Sequence, residues 1–141
     1  MRIEPDATIL AFDFGTRRIG VALANTLTRV AHPLTTLDVA DPGAQLDAVA
    51  ALIAEWQPSV LVVGLPVHAD GAPHAMTARA RRFARDLEAR FELPVAMVDE
   101  RYTTQAAART ARVAGRGRAG RGRRDEAAAQ IILQAWLDET A

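Results

Sequence analysis

The run Val60-Leu61-Val62-Val63-Gly64 constrains this chain more than any other feature. A strand sends successive side chains to opposite faces, and here neither face carries a polar group. Strands of that kind are buried on both sides, as in parallel sheets covered by helices. Residues 8–14, Thr-Ile-Leu-Ala-Phe-Asp-Phe, repeat the pattern near the N-terminus with one conspicuous exception, Asp13.

The other elements arrange themselves around these two strands. A turn at Gly15–Arg18 leads into a second strand over 19–24, close enough in sequence to form a hairpin. Residues 34–39 are more polar and suit a strand at a sheet edge. Asp41 and Pro42 have the chemistry of a helix N-cap and first helical position. Behind them Leu46, Val49, Ala50, Ile53 and Trp56 follow helical spacing up to Pro58. Residues 65–74 read as a loop. A helix over about 76–91 carries Met76, Ala80, Phe83, Leu87 and Phe91 on one face and arginines on the other. Pro94 opens a fifth strand, 95–98. A short alanine-rich helix is expected from Thr104, then an arginine- and glycine-rich loop over 114–124, then a last helix from Asp125 to about Asp138. A three-strand meander followed by alternating helices and strands implies an α/β fold, a mixed sheet with helices on both faces. With 141 residues, no internal repeat and no linker, the expectation is a single domain over 1–141.

The chain has 17 basic and 17 acidic residues and no net charge, but the charge is polarised. Every basic residue is an arginine. Residues 101–124 hold eight arginines and no acid, and Arg79, Arg81, Arg82 and Arg85 form a second cluster. A neutral protein so divided can bind a polyanion through one face. The absence of cysteine excludes disulfides and thiolate zinc sites. No apolar stretch has signal-peptide or membrane-spanning character. The expectation is a cytoplasmic protein with no membrane partner, a monomer or weak homodimer.

Three acids stand at positions where their strands and helix should end or begin. Asp13 follows Ile, Leu, Ala and Phe, and a carboxylate buried there is costly without a cation or several hydrogen bonds. Asp99 and Glu100 close the fifth strand, and alternation sends them to opposite faces, so at most one joins Asp13. Asp125 opens the last helix, on a stripe with Ala129, Ile132 and Trp136. Each has a plainer reading: turn capping for Asp13, a surface pair with Arg101 for Glu100, helix capping for Asp125. Taken together they gain weight, because ligand sites of open α/β sheets lie beyond the carboxyl ends of parallel strands. Three converging carboxylates repel one another unless cations neutralise them. Oxygen ligands favour Mg²⁺ or Mn²⁺, and a pair of such ions ~4 Å apart suits phosphodiester hydrolysis.

Four blocks of the sequence then resemble the YqgF family, also described as Holliday junction resolvase-like or pre-16S ribosomal RNA nucleases. They are Phe12-Asp13-Phe14-Gly15-Thr16-Arg17-Arg18-Ile19-Gly20-Val21-Ala22, Val63-Gly64-Leu65-Pro66 with Asp70-Gly71, Asp99-Glu100-Arg101-Tyr102-Thr103-Thr104, and Asp125-Glu126-Ala127-Ala128-Ala129 with Ile132-Leu133-Gln134. The resemblance implies a ribonuclease H-like fold with a five-stranded sheet in the order 3-2-1-4-5. It implies trimming of the 5′ end of precursor 16S ribosomal RNA, with branched DNA as the alternative substrate. It places the acidic catalytic and metal-binding positions on Asp13, Glu100 and Asp125. The chain departs from the family at His68, where asparagine is expected, and at Asn25. It also departs before Asp125, where arginine and glycine replace lysines. In that strand order Glu100 lies two strands from Asp13, ~10 Å at the backbone, and Gly64 on the strand between leaves room for two ions.

Arg17 and Arg18, beside the acids, are candidates to clamp a phosphate. Arg101, Arg116, Arg118, Arg121 and Arg123 are candidates for structured RNA. Gly115, Gly117 and Gly120 match a dinucleotide-binding glycine pattern but lack the strand that must precede it. Tyr102 is placed to stack on a base. His32, His68 and His74 have no metal-ligand spacing and read as loop residues. Asp13-Phe14-Gly15-Thr16 also resembles the phosphate turn of sugar kinases and actin-like ATPases, which close two such domains over ATP. A fold that binds RNA without cutting it is a further alternative.

Overall fold

A computed structural model of the chain describes residues 6–66, 75–100 and 118–140, the stretch 118–124 in its backbone alone. Five strands, β1 (Thr8–Asp13), β2 (Ile19–Asn25), β3 (His32–Leu37), β4 (Val60–Leu65) and β5 (Val95–Asp99), form one sheet in the order β3-β2-β1-β4-β5. The meander β1-β2-β3 is antiparallel, while β4 runs parallel to both β1 and β5. Among the described residues three helices accompany the sheet: α1 (Pro42–Trp56), α2 (Ala75–Phe91) and α3 (Arg118–Glu139). This is the mixed sheet and strand order expected of a ribonuclease H-like fold.

Alternation along the central strands sorts their side chains into two cores. Ile9, Ala11, Ala22, Ala24, Val60, Val62 and Val98 face α3 and meet Ala129, Ile132, Leu133 and Trp136. Leu10, Phe12, Ile19, Val21, Leu61 and Val63 face the other way, onto Val49 of α1 and Phe83, Ala84 and Leu87 of α2. The apolar runs of β1 and β4 are therefore the signature of strands buried on both faces.

Local chemistry fixes the ends. The Asp41 side chain accepts from the Ala44 amide at 2.8 Å with Pro42 at the first helical position, and Gln57 closes α1 in the left-handed region at φ 47°. Two expectations need correction. The third strand lies at 32–37, not 34–39: Pro33 is tolerated because β3 is an edge strand, and the Val39 carbonyl leaves the ladder to accept from the Gln45 amide group at 2.8 Å. The last helix begins at Arg118, seven positions before Asp125, so residues 118–124 are helix rather than loop and Asp125 is no N-cap. Arginine and alanine are strong helix formers. A helix held by packing at Ala127 and Ala129 extends backward through them more cheaply than a new one nucleates.

Candidate active site

Asp13 is the last residue of β1, and β1 pairs it directly with Gly20 of β2. Directly opposed residues share a face, so Asp13 and Gly20 both look towards α3. A Cβ built at Gly20 would overlap the Asp125 carbonyl group and lie 3.0 Å from its Cα. The bare glycine lets the backbone of α3 rest against the sheet beside Asp13. Polar side chains hold the helix in that seat. Gln134 accepts from the Ala31 amide at 3.0 Å and donates to the Arg29 carbonyl at 3.2 Å, and Gln130 donates to the Ala31 carbonyl at 3.0 Å. The Thr36 hydroxyl donates to Glu126 at 3.3 Å, one residue from Asp125.

Glu100 follows β5 and must reach over β4 to meet Asp13. Gly64 makes this possible: a Cβ there would lie 2.8 Å from Glu100 Oε1 and 2.5 Å from Ile132 Cδ1. The space above Gly64, expected to be left for ions, is thus taken by the Glu100 carboxyl and an isoleucine methyl. The Asp13 and Glu100 side chains are hydrogen-bonded to each other.

The electrostatics follow from this crowding. Burial of the Asp13 carboxyl, the charge of Glu100, their shared hydrogen bond and the charge of Asp125 together hold Asp13 well above the usual carboxylate range. Burial also raises Glu100, and Asp99 raises it further, while the hydrogen bond from Asp13 opposes both. Asp125 is compensated differently, by Arg18, whose Nε stands 2.9 Å from Oδ2. Arg18 thus offsets the charge of Asp125, while Asp13 and Glu100 crowd each other. Among the described residues no three acidic or histidine side chains are already gathered into a metal cage. The donor set fits Mg²⁺ or Mn²⁺ in kind: two crowded carboxylates, and a third whose arginine partner a cation could replace.

The turn carrying Arg17 and Arg18 is held from beneath. Gln45, buried in α1, donates to the Gly15 carbonyl at 3.2 Å, the Thr16 carbonyl at 3.4 Å and the Val39 carbonyl at 2.8 Å. Sequence reasoning missed it. The signal was a polar residue four positions before Val49, on the stripe that should be apolar. Thr77, also buried, donates from its hydroxyl to the Pro66 carbonyl and so ties the start of α2 to the exit of β4.

Of the expected nucleic-acid contacts, Arg18 is engaged with Asp125 and Arg17 is exposed on the same turn. Arg118, Arg121 and Arg123 fall on the first turns of α3, and their side chains lie outside the described residues, as do Arg101, Arg116, Tyr102, His68, His74 and the helix expected from Thr104. His32 opens β3 rather than lying in a loop. Asn25 ends β2 and turns the chain, accepting from the Leu27 amide at 2.8 Å and donating to Asp6 at 3.0 Å.

Comparison with known proteins agrees with the geometry. A curated protein of Nitrosomonas europaea named "Putative pre-16S rRNA nuclease" is 52% identical over 139 residues, 98% of this chain and 94% of its own. One of the same name from Paraburkholderia phytofirmans is 53% identical over 133 residues, 94% of this chain and 89% of its own. Among solved structures, Thermus thermophilus RuvC in complex with a Holliday junction substrate superposes with a TM-score of 0.62 at 19% identity, covering 95% of each chain. The yeast mitochondrial Holliday junction resolvase Ydc2 gives 0.63 at 10% identity, over 96% of this chain and 80% of its own. At such identities the structures speak for the fold alone. A family model described as RuvX, Holliday junction resolvase, matches residues 7–139, and the chain belongs to that family, the one its four sequence blocks resemble.

Proposed function

We propose that this chain is a divalent-metal-dependent nuclease acting on structured nucleic acid, with precursor 16S ribosomal RNA as its substrate and trimming of the 5′ end as its task. The observation that carries the reading is the contact of Asp13 with Glu100 at one end of the sheet, with Asp125 near enough for its charge to act on Asp13, over two glycines that admit Glu100 and the backbone of α3. Acids that serve only as turn or helix caps do not need to converge. Asp13 and Glu100 form the half-buried centre of the site, and Asp125 closes it from α3. Mg²⁺ or Mn²⁺ held by these carboxylates would supply the Lewis acidity that phosphodiester hydrolysis requires. The chain's part is to hold three carboxylate ligands rigidly and to offer the exposed Arg17, and Arg18 once it leaves Asp125, to the phosphate. Arg101, Arg116, Arg118, Arg121 and Arg123 are proposed as phosphate contacts along the substrate.

Residues 1–141 are read as one nuclease domain working in the cytoplasm as a monomer or weak homodimer. The names carried by the relatives support the RNA substrate, whereas the family description favours a second reading, resolution of branched DNA. Cleavage of an RNA bearing the precursor 5′ leader, and of a four-way DNA junction, separates the two. The expected result is Mg²⁺-dependent cutting of the RNA, abolished by chelator and by Asp13→Asn. Preferential cutting of the junction would move the assignment to DNA. Tight RNA binding with no cutting under any metal would reduce the chain to an RNA-binding protein.

A further inference from the structure

Opposite the acids, on the α1–α2 side of the same sheet edge, lies a cavity of about 290 Å³. Its walls are Phe14, Leu46 and Phe83, and Thr16 stands at its lip. Phe14 and Phe83 pack with ring centroids 4.8 Å apart at 31°. Phe14 follows Asp13 directly, so strand alternation puts the catalytic carboxylate and this aromatic floor back to back across one strand end. Arg79 and Arg82, three apart on α2, are exposed and line the cavity with Asp86 one turn further on. An apolar, aromatic-floored slot with two cations at its mouth has the chemistry of a nucleotide site: a face for stacking, and charge for the phosphate beside it.

We propose that this cavity receives one unpaired nucleotide of the substrate, its base against Phe14 and its phosphate between Arg79 and Arg82. The inference rests on the nuclease reading for its context and gives that reading a specificity: a single unstacked nucleotide held on the face of the sheet opposite the acids. Charge places the phosphate on the α2 side. At the nearer end of α1 the Asp41 carboxylate already accepts from the Ala44 amide and would repel an anion. The buried Gln45 amide, which lines the cavity floor, is committed to the Gly15, Thr16 and Val39 carbonyls. Occupancy would therefore be felt at the turn that carries Arg17 and Arg18. Asp86 is the acceptor available to an exocyclic amine, so adenine, guanine or cytosine is preferred to uracil, whose carbonyls would face the carboxylate.

The test uses the full chain without metal, so neither catalysis nor the acidic site enters it, and its failure is separable from failure of the nuclease reading. Amide nitrogen–proton spectra are followed while adenosine monophosphate, ribose 5-phosphate or inorganic phosphate is added. Adenosine monophosphate is expected to shift the Thr16, Leu46 and Phe83 amides saturably in the millimolar range. Ribose 5-phosphate should bind about tenfold more weakly, the scale of one lost stacking contact. Ala40 lines the cavity and is exposed, so Ala40→Trp, which places a bulky ring at its rim, should abolish the response. Arg79→Ser with Arg82→Ser should weaken adenosine monophosphate binding and remove its salt dependence. Equal binding of adenosine monophosphate and inorganic phosphate would overturn the proposal and leave only an anion site on α2. So would unmoved amides at Thr16, Leu46 and Phe83, or a native response in Ala40→Trp.

Discussion

The two faces of the sheet are built on opposite principles. Towards α3, β1 and β2 offer Ala11, Ala22, Ala24 and Gly20, with Ile9 the one large residue, so a helix lies close and brings Asp125 beside Asp13. Towards α1 and α2 they offer Leu10, Phe12, Ile19 and Leu61, so the helices stand further off and a cavity remains at the edge. The small-residue face fixes backbone positions, as a site holding three like charges requires. The large-residue face packs bulky side chains from strand and helix against one another, Phe12 on Phe83 among them. Closeness and bulk are divided between the faces because one surface cannot supply both.

Gly20→Ala attacks the close face at its tightest point. The new methyl would meet backbone rather than a movable side chain, and overpacking against a fixed neighbour should cost roughly 3 kcal/mol or more. Denaturant unfolding would register it, and cleavage should fall with it because Asp125 is displaced. Gly64→Ala is the milder counterpart. Its methyl meets the ends of the Ile132 and Glu100 side chains, which can give way, so about 1–2 kcal/mol is expected. Its cleavage rate should nevertheless fall nearly as far, since Glu100 is pushed off Asp13. Equal stability losses for the two alanines would show that backbone closeness is not what distinguishes the crossings.

Asp13→Asn should act in the other direction on stability. The Asp13 pKa is raised on folding by burial and by Glu100, so the folded state holds this proton more tightly than the unfolded chain. Its contribution is full below the ordinary carboxylate range and is lost as pH rises through the raised folded value. An amide has no proton to lose there. In metal-free buffer the variant should therefore melt a few degrees above the native protein at pH 8, with the gap closing as pH falls towards 4. Mg²⁺ should raise the native Tm and leave the variant's unchanged. A gap independent of pH would remove Asp13 as its source. At the far end of the scale, Asp47→Ala breaks an exposed 2.9 Å pair with Arg90 on the bulky face and should change stability by less than about 0.5 kcal/mol.

Much of this was legible in the sequence, for identifiable reasons. The unbroken apolar runs of β1 and β4 announce burial on both faces, and Asp41-Pro42 announces the start of α1. Asp13 stood out because an acid at the end of such a run has few other uses. The start of α3 was hidden: Gly120 and Gly122 argue for a loop, and nothing local reveals that packing at Ala129 and Ile132 carries a helix through them. Asp125 accordingly looked like a cap and is an interior helical residue. The filling of the space above Gly64 and the three bonds from Gln45 were hidden too, because both depend on partners from distant elements. Periodicity reports which face a residue takes and says nothing of what meets it there.

The account stands on the three acids acting as one centre. The direct measurement is cleavage of RNA bearing the precursor 5′ leader in Mg²⁺ by Asp13→Asn, Glu100→Gln and Asp125→Asn, with RNA affinity determined separately in Ca²⁺. Each variant should lose roughly three orders of magnitude or more in turnover, a double variant should lose little beyond the worse single one, as groups that work as a unit do, and RNA affinity should stay within a few-fold of native. Native turnover in any one of the three, or undiminished cleavage in chelator, would contradict the account.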